Sequence, residues 1–141
     1  MKSLEQAKLI QDFSAISSWE DRYQKIIALG KELRSLPDDL KIDDLLVKGC
    51  QSRVWLKADL DREGRVQFQA DSDALIVRGL IAMVLKVYSG LTPKEILDTA
   101  PDFIRELGFE QNLSPSRANG LQSMIKQIKY YALAYQAALN R

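Results

Sequence analysis

The residue pattern predicts an α+β fold over residues 1–141: a small antiparallel β-sheet of about three strands with helices packed against it, in a single domain. Three observations carry this expectation. Up to about residue 35, and again from about residue 71, apolar side chains recur at helical spacing. Residues 45–70 instead alternate apolar and polar, with turn residues between the runs. Helices, then strands, then helices is an order in which the two element types segregate.

Leu4, Ala7, Leu9, Ile10 and Phe13 form a rough helical stripe. "SSWED" restarts the pattern, with Ser17 three residues before Glu20 as a capping box, and Trp19, Tyr23, Ile26, Ile27 and Leu33 continue it until Pro37. "LLVKG" (45–49) reads as a short strand. "SRVWLKADL" (52–60) alternates around Val54, Leu56 and Ala58, and Trp55 on the other face predicts partial cover on both sides. "DREG" turns the chain into "RVQFQA" (65–70), with Val66, Phe68 and Ala70 inward. The following helix has Asp71 or Ser72 as its N-cap, an apolar body and Gly90 as its stop, which predicts burial across the sheet. Thr92, Pro93 and Glu95 open another helix, "TAPDFIRELG" a further one ending at Gly108, and Ser114-Pro115 the last.

Lys and Arg number 20 against 19 Asp and Glu, so no overall field draws the protein to nucleic acid or an anionic membrane. Tyr130, Tyr131 and Tyr135, interleaved with Lys126 and Lys129, sit at helical spacing and read as a packing face rather than a base-stacking platform. The longest apolar stretch is broken by Arg78 and Lys86 and is too short for a membrane span. The first residues lack the apolar run of a secretory signal, and one cysteine suits a reducing compartment, so a cytoplasmic location is expected.

The chain contains no histidine. That excludes Cys-His and Ser-His-Asp catalysis and leaves a single soft ligand for zinc or an iron–sulfur cluster, so no metal site is expected. An all-carboxylate site remains open on chemistry alone, with "DLDREG" (59–64) the nearest acidic cluster, though it reads better as a hairpin turn.

Cys50, in "VKGCQSRVW", is the one cysteine. Free cysteines are most often buried packing groups. Against that stand Gly49, which permits a turn, and the polar pair Gln51 and Ser52, which suit a loop feeding a strand. A thiolate attacking sulfur needs no general base if a cation or backbone N–H groups lower its pKa. Without histidine, sulfur exchange is the chemistry a reactive Cys50 supports most readily.

"GCQSRVW", followed by "QFQADSDALIVRGLIAMVLKVYSGLTPKEIL" and "LSPSRANGLQSMI", resembles the SufE family of cysteine-desulfuration proteins, from the "LPDDL" region to the last helix. The resemblance implies a SufE/IscU-like fold and a persulfide-carrying accessory protein rather than an independent enzyme. Cys50 would accept sulfur from a pyridoxal-phosphate cysteine desulfurase of the SufS/CsdA type, stimulate that enzyme and pass sulfur on to an iron–sulfur scaffold or other acceptor. The pyridoxal phosphate would belong to the partner, and this chain, a monomer or weak homodimer, would carry no cofactor. The alternative is a binding module that activates a desulfurase allosterically, with Cys50 structural. Asp73 and Arg117 match family positions near the cysteine loop and on the desulfurase-binding face. On residue type alone, Asp73 favours a helix N-terminus, whereas Arg117 lies at the unfavourable end of a helix dipole. Gly120, early in the same helix, points to close approach by another backbone.

Overall fold

In the computed structural model, residues 4–140 are described, and helices precede and follow a β-hairpin as expected. Residues 1–3 and 141 of the expected terminal helices lie outside the described residues. Helix α1 (Leu4–Ser14) buries Leu9 and Phe13, but Leu4 and Ala7 face outward. The buried Gln6 sets that rotation. Its Nε2 donates to the Ala100 carbonyl at 3.0 Å and its Oε1 accepts from Phe103 N at 2.9 Å. A buried amide must keep such partners, so polar satisfaction overrides the apolar count. Helix α2 (Trp19–Glu32) is capped by Ser18, one residue later than expected: its Oγ accepts from Asp21 N at 3.1 Å.

Strands β1 (Val54–Leu60) and β2 (Val66–Ser72) pair antiparallel, from Val54 opposite Ser72 to Leu60 opposite Val66. Asp61 ties their turn by accepting from Glu63 N and Arg65 N, each at 2.9 Å. The sheet therefore has two strands, not three. The expected strand at 45–49 shrinks to one bridge, Leu46 opposite Trp55, with Val47 N donating to Val54 O at 2.8 Å. Single 3-10 turns at Asp38–Leu40 and Asp43–Leu45 deliver the chain to that bridge, and Gly49 at φ 93° turns it away again. Trp55 is buried, as two-sided cover requires, and Lys41 Nζ lies 5.8 Å from its ring centroid.

Helix α3 (Leu75–Tyr88) is buried over most of its surface. Neither Asp71 nor Ser72 caps it by position, because both belong to β2 and Ala74 stands at the N-cap. Asp71 is instead a buried anion, 1% exposed. It pairs with Arg78 Nη1, lies 3.6 Å from Lys41 Nζ, and accepts from Leu36 N at 3.0 Å and Ser72 N at 2.8 Å. Arg78 reaches on to the Gly30 carbonyl at 3.0 Å and the Leu33 carbonyl at 2.5 Å, beyond the end of α2. Helices α2 and α3 cross backbone to backbone. A Cβ on Gly79 would lie 2.0 Å from Ile26 O, and one on Gly30 2.6 Å from Leu75 O.

Helix α4 (Pro93–Asp98) carries the expected capping box between Thr92 and Glu95. Short helices α5 (Asp102–Glu106) and α6 (Phe109–Asn112) flank Gly108, and α7 (Pro115–Leu139), capped by Ser114, runs back over the sheet. There, Tyr131 meets Phe68 edge-on at 6.4 Å and the Tyr135 hydroxyl donates to Ala58 O at 3.2 Å. These contacts make the tyrosines partly a packing face, although Tyr130 is exposed.

Two stability measurements check this architecture by urea denaturation. Gly79→Ala forces α2 and α3 apart and lowers stability by about 3 kcal/mol, the upper end of overpacking costs. Asp71→Ala strands Arg78 in a buried site and costs about 3–5 kcal/mol. Near-unchanged midpoints would contradict the crossing and the buried pair respectively.

Candidate functional site

Cys50 lies between the Leu46 bridge and the first residue of β1, on a turn made by the positive φ of Gly49. That turn rests on α7. A Cβ on Gly49 would fall 2.5 Å from Ser123 Oγ, and one on Gly120 would touch Cys50 Sγ at 3.5 Å. The thiol donates to the Gly120 carbonyl, Sγ to O 3.5 Å, and is half-buried. The neighbour at Gly120 is thus chiefly the Cys50 side chain at ordinary van der Waals distance, not the close backbone approach expected there.

Beneath the thiol is a cavity of about 230 Å³. Val54, Leu80, Ile81 and Met124 give it apolar walls, while Ser52 and Arg117 stand among its polar residues. Gln51 also lines it. Arg117 belongs to the first turn of α7, where its N–H donates to Ser114 Oγ at 3.3 Å. Its side chain is exposed and makes no ion pair among the described residues. Asp73 does not line the cavity. It clasps the far end of the loop: Oδ1 accepts from Arg53 N at 3.2 Å, and Asp73 N donates to Arg53 O at 3.4 Å. All six expected positions therefore fall on or beside one loop and one helix start.

The electrostatics run against the expectation of an activated thiolate. Burial pushes the Cys50 thiol above its ordinary value. In the closed loop this is a protonated, weakly nucleophilic sulfur. Ser123 and Met124 were not singled out in the sequence, yet Ser116, Gly120, Ser123 and Met124 recur at helical spacing on one face of α7. Small residues at three of those positions signal a seat for another segment.

For metal chemistry the acidic residues are poorly disposed. No three of Asp, Glu, Cys and His gather among the described residues, and Asp61 of "DLDREG" spends its oxygens on the hairpin turn and Gln67. The cavity lining includes no lysine that could form an imine with an aldehyde cofactor.

Comparison with known families decides the relationship. The family described as "SufE: Fe-S metabolism associated domain" matches residues 7–132, extending well into the N-terminal helices. The chain belongs to the SufE family. A hypothetical protein of Thermus thermophilus, solved in solution, has a similar fold, at a TM-score of 0.80. The match covers 97% of this chain and 99% of that one at 19% identity, so it speaks for the fold alone. Among the described residues no helix is long and apolar enough to cross a membrane.

The raised thiol and its glycine turn make a paired prediction. Iodoacetamide should modify Cys50 of the native protein more slowly than free cysteine, with the rate–pH midpoint above the ordinary cysteine value. Gly49→Ala combines φ strain with the Ser123 clash, should lift the loop from α7, and should bring that midpoint down. A native midpoint at or below the ordinary value would contradict the buried thiol.

Proposed function

We propose that this SufE-family protein carries sulfur as a persulfide on Cys50, taking it from a pyridoxal-phosphate cysteine desulfurase and delivering it to iron–sulfur cluster assembly in a reducing, cytoplasmic compartment. The observation that supports this most directly is the position of the single thiol. It sits on a turn over an apolar cavity, beside an arginine that makes no ion pair among the described residues, in a chain without histidine.

The transfer needs no acid–base partner from this chain. Cys50 loses its proton to solvent once its loop leaves the cavity, and the thiolate attacks the outer sulfur of the desulfurase persulfide. The new S–S bond forms on Cys50 as the old one breaks, and the partner's cysteine leaves as thiolate, so no net oxidation occurs. Gly49 serves as the hinge, Gln51 and Ser52 move with the loop, Asp73 anchors its far end through Arg53, and Arg117 offers a guanidinium to an acidic group of the partner or to the emerging thiolate. No cofactor or metal of its own enters the scheme. A persulfide is readily reduced or oxidised, which favours its prompt transfer to the next acceptor.

A second reading has one observation in its favour. The burial and raised pKa of Cys50 also suit a structural cysteine in a module that activates the desulfurase by binding alone. Intact mass spectrometry after incubation with desulfurase and cysteine separates the two. The wild type should gain one sulfur atom that reductant removes, whereas Cys50→Ser should gain none and lose the stimulation. Full stimulation by Cys50→Ser would establish the second reading. Arg117→Ala should raise the half-saturating protein concentration about tenfold, the worth of one charge-assisted hydrogen bond.

A further inference from the structure

Gly120 and Ser123 do more than leave space. They form a seat whose directional contact with Cys50, among the described residues, comes from the thiol proton: Cys50 Sγ donates to the Gly120 carbonyl at 3.5 Å. The thiol packs beside Gly120, where an added Cβ would stand in ordinary van der Waals contact at 3.5 Å, and Ser123 meets the Hα side of Gly49 one turn further along α7. Beyond this seat, the loop is held at its two ends, by Val47 N on Val54 O and by Arg53 N on Asp73. Gln51 and Ser52 make no backbone hydrogen bond among those found for the described residues.

Resting on the sulfur-carrier reading above, we infer that this seat is a latch read by the chemical state of Cys50: it holds the empty thiol and releases the loaded one. When Cys50 becomes a persulfide, Sγ exchanges its hydrogen for a bond to sulfur. It then has only lone pairs to turn toward the Gly120 oxygen, and a donor–acceptor contact becomes an acceptor–acceptor one. The cavity has room for the added atom, so loss of the donor rather than lack of space drives the change. The empty protein thus keeps its loop down until a partner lifts it. The loaded protein offers its sulfur more readily to the next acceptor, which gives the transfer a direction without a second cysteine.

Amide hydrogen exchange across residues 47–54 tests the latch without any desulfurase. Val47 and Arg53 are the reporters because their N–H groups are bonded only when both ends of the loop are in place. Three altered forms are compared with the native thiol. Methyl methanethiosulfonate converts Cys50 to its methyl disulfide with release of methanesulfinate, which removes the donor and adds bulk. Cys50→Ala removes the donor and reduces bulk, and Cys50→Ser keeps a donor. The methyl disulfide and Cys50→Ala should exchange about 2- to 5-fold faster at these amides, the scale of one weak hydrogen bond, while Cys50→Ser stays near the native rate.

Native protection in both donor-less forms would overturn the latch. So would opening in Cys50→Ser equal to that in Cys50→Ala, which would assign the hold to sulfur packing. The desulfurase assay stands apart from this comparison. A protein that accepts sulfur but shows no donor-dependent exchange keeps the proposed function and loses the latch. One that latches but accepts no sulfur does the reverse.

Discussion

The buried carboxylate of Asp71 is the constraint on which the site's geometry depends. One side chain neutralises Arg78, lies within reach of Lys41, and receives the backbone N–H groups of Leu36 and Ser72. Those partners come from the first turn of α3, the end of β2, the end of the first 3-10 turn and the segment before it. Arg78 extends the node to the carbonyls of Gly30 and Leu33, the unsatisfied acceptors at the end of α2. A charge so deeply buried is tolerable only when each oxygen is engaged, and here both are. The direction in which the chain leaves α2, enters the Leu46 bridge and reaches the cysteine turn is therefore fixed from behind, by groups that lie outside the cavity at Cys50.

Helix α7 fixes the same turn from the front, which explains why it must be long. Near its middle, Lys129 Nζ donates to the carbonyls of Ile96 at 2.5 Å and Thr99 at 2.6 Å, closing the end of α4. Farther on, Tyr135 pins the helix to β1 through Ala58. With its body anchored at these points, the first turns hold Arg117, Gly120 and Ser123 in register with the cysteine turn without needing many contacts of their own. Burial lowers the Lys129 pKa somewhat, but the carbonyls around its ammonium group give its protons acceptors in place of water.

Much of this was legible because local signals and tertiary needs agreed. The Thr92–Glu95 capping box, the Asp61 turn, the all-round apolar α3 and the Gly49-Cys50 turn each follow from residue types at fixed spacing. The misreadings occurred where distant partners decided the outcome. Gln6 rotated α1 against its apolar stripe, because an amide 94 residues from its acceptor leaves no trace in periodicity. Asp71 looked like a helix cap because its sequence neighbours resemble one, and its real partners lie as far back as Leu36. The third strand failed because an apolar run says nothing about where its hydrogen bonds can be made. After one bridge, Gly49 turns the backbone out of the sheet. For Cys50 the sequence conveyed the chemistry available to a thiol without histidine but not its protonation, since that depends on α7 folding over it.

On the proposed sulfur-carrier reading the protein has two conflicting needs, a sulfur that is protected and a sulfur that can be reached, and the distribution of interactions suits both. Around the site the scaffold is over-determined: a buried ion pair, two helices in backbone contact and a helix pinned at several places. The cysteine turn itself is held by a weak thiol hydrogen bond, van der Waals contact between Gly49 and Ser123, and one backbone clasp at each end. Each such contact contributes about 1 kcal/mol or less. Opening the turn therefore lies within what a modest protein–protein contact can offset, whereas displacing α7 or α3 does not. Because burial favours the protonated thiol, the closed state is also the unreactive one, and movement and activation become a single event. A chain with no imidazole to switch a thiol on can still control its nucleophilicity through where the backbone places the sulfur.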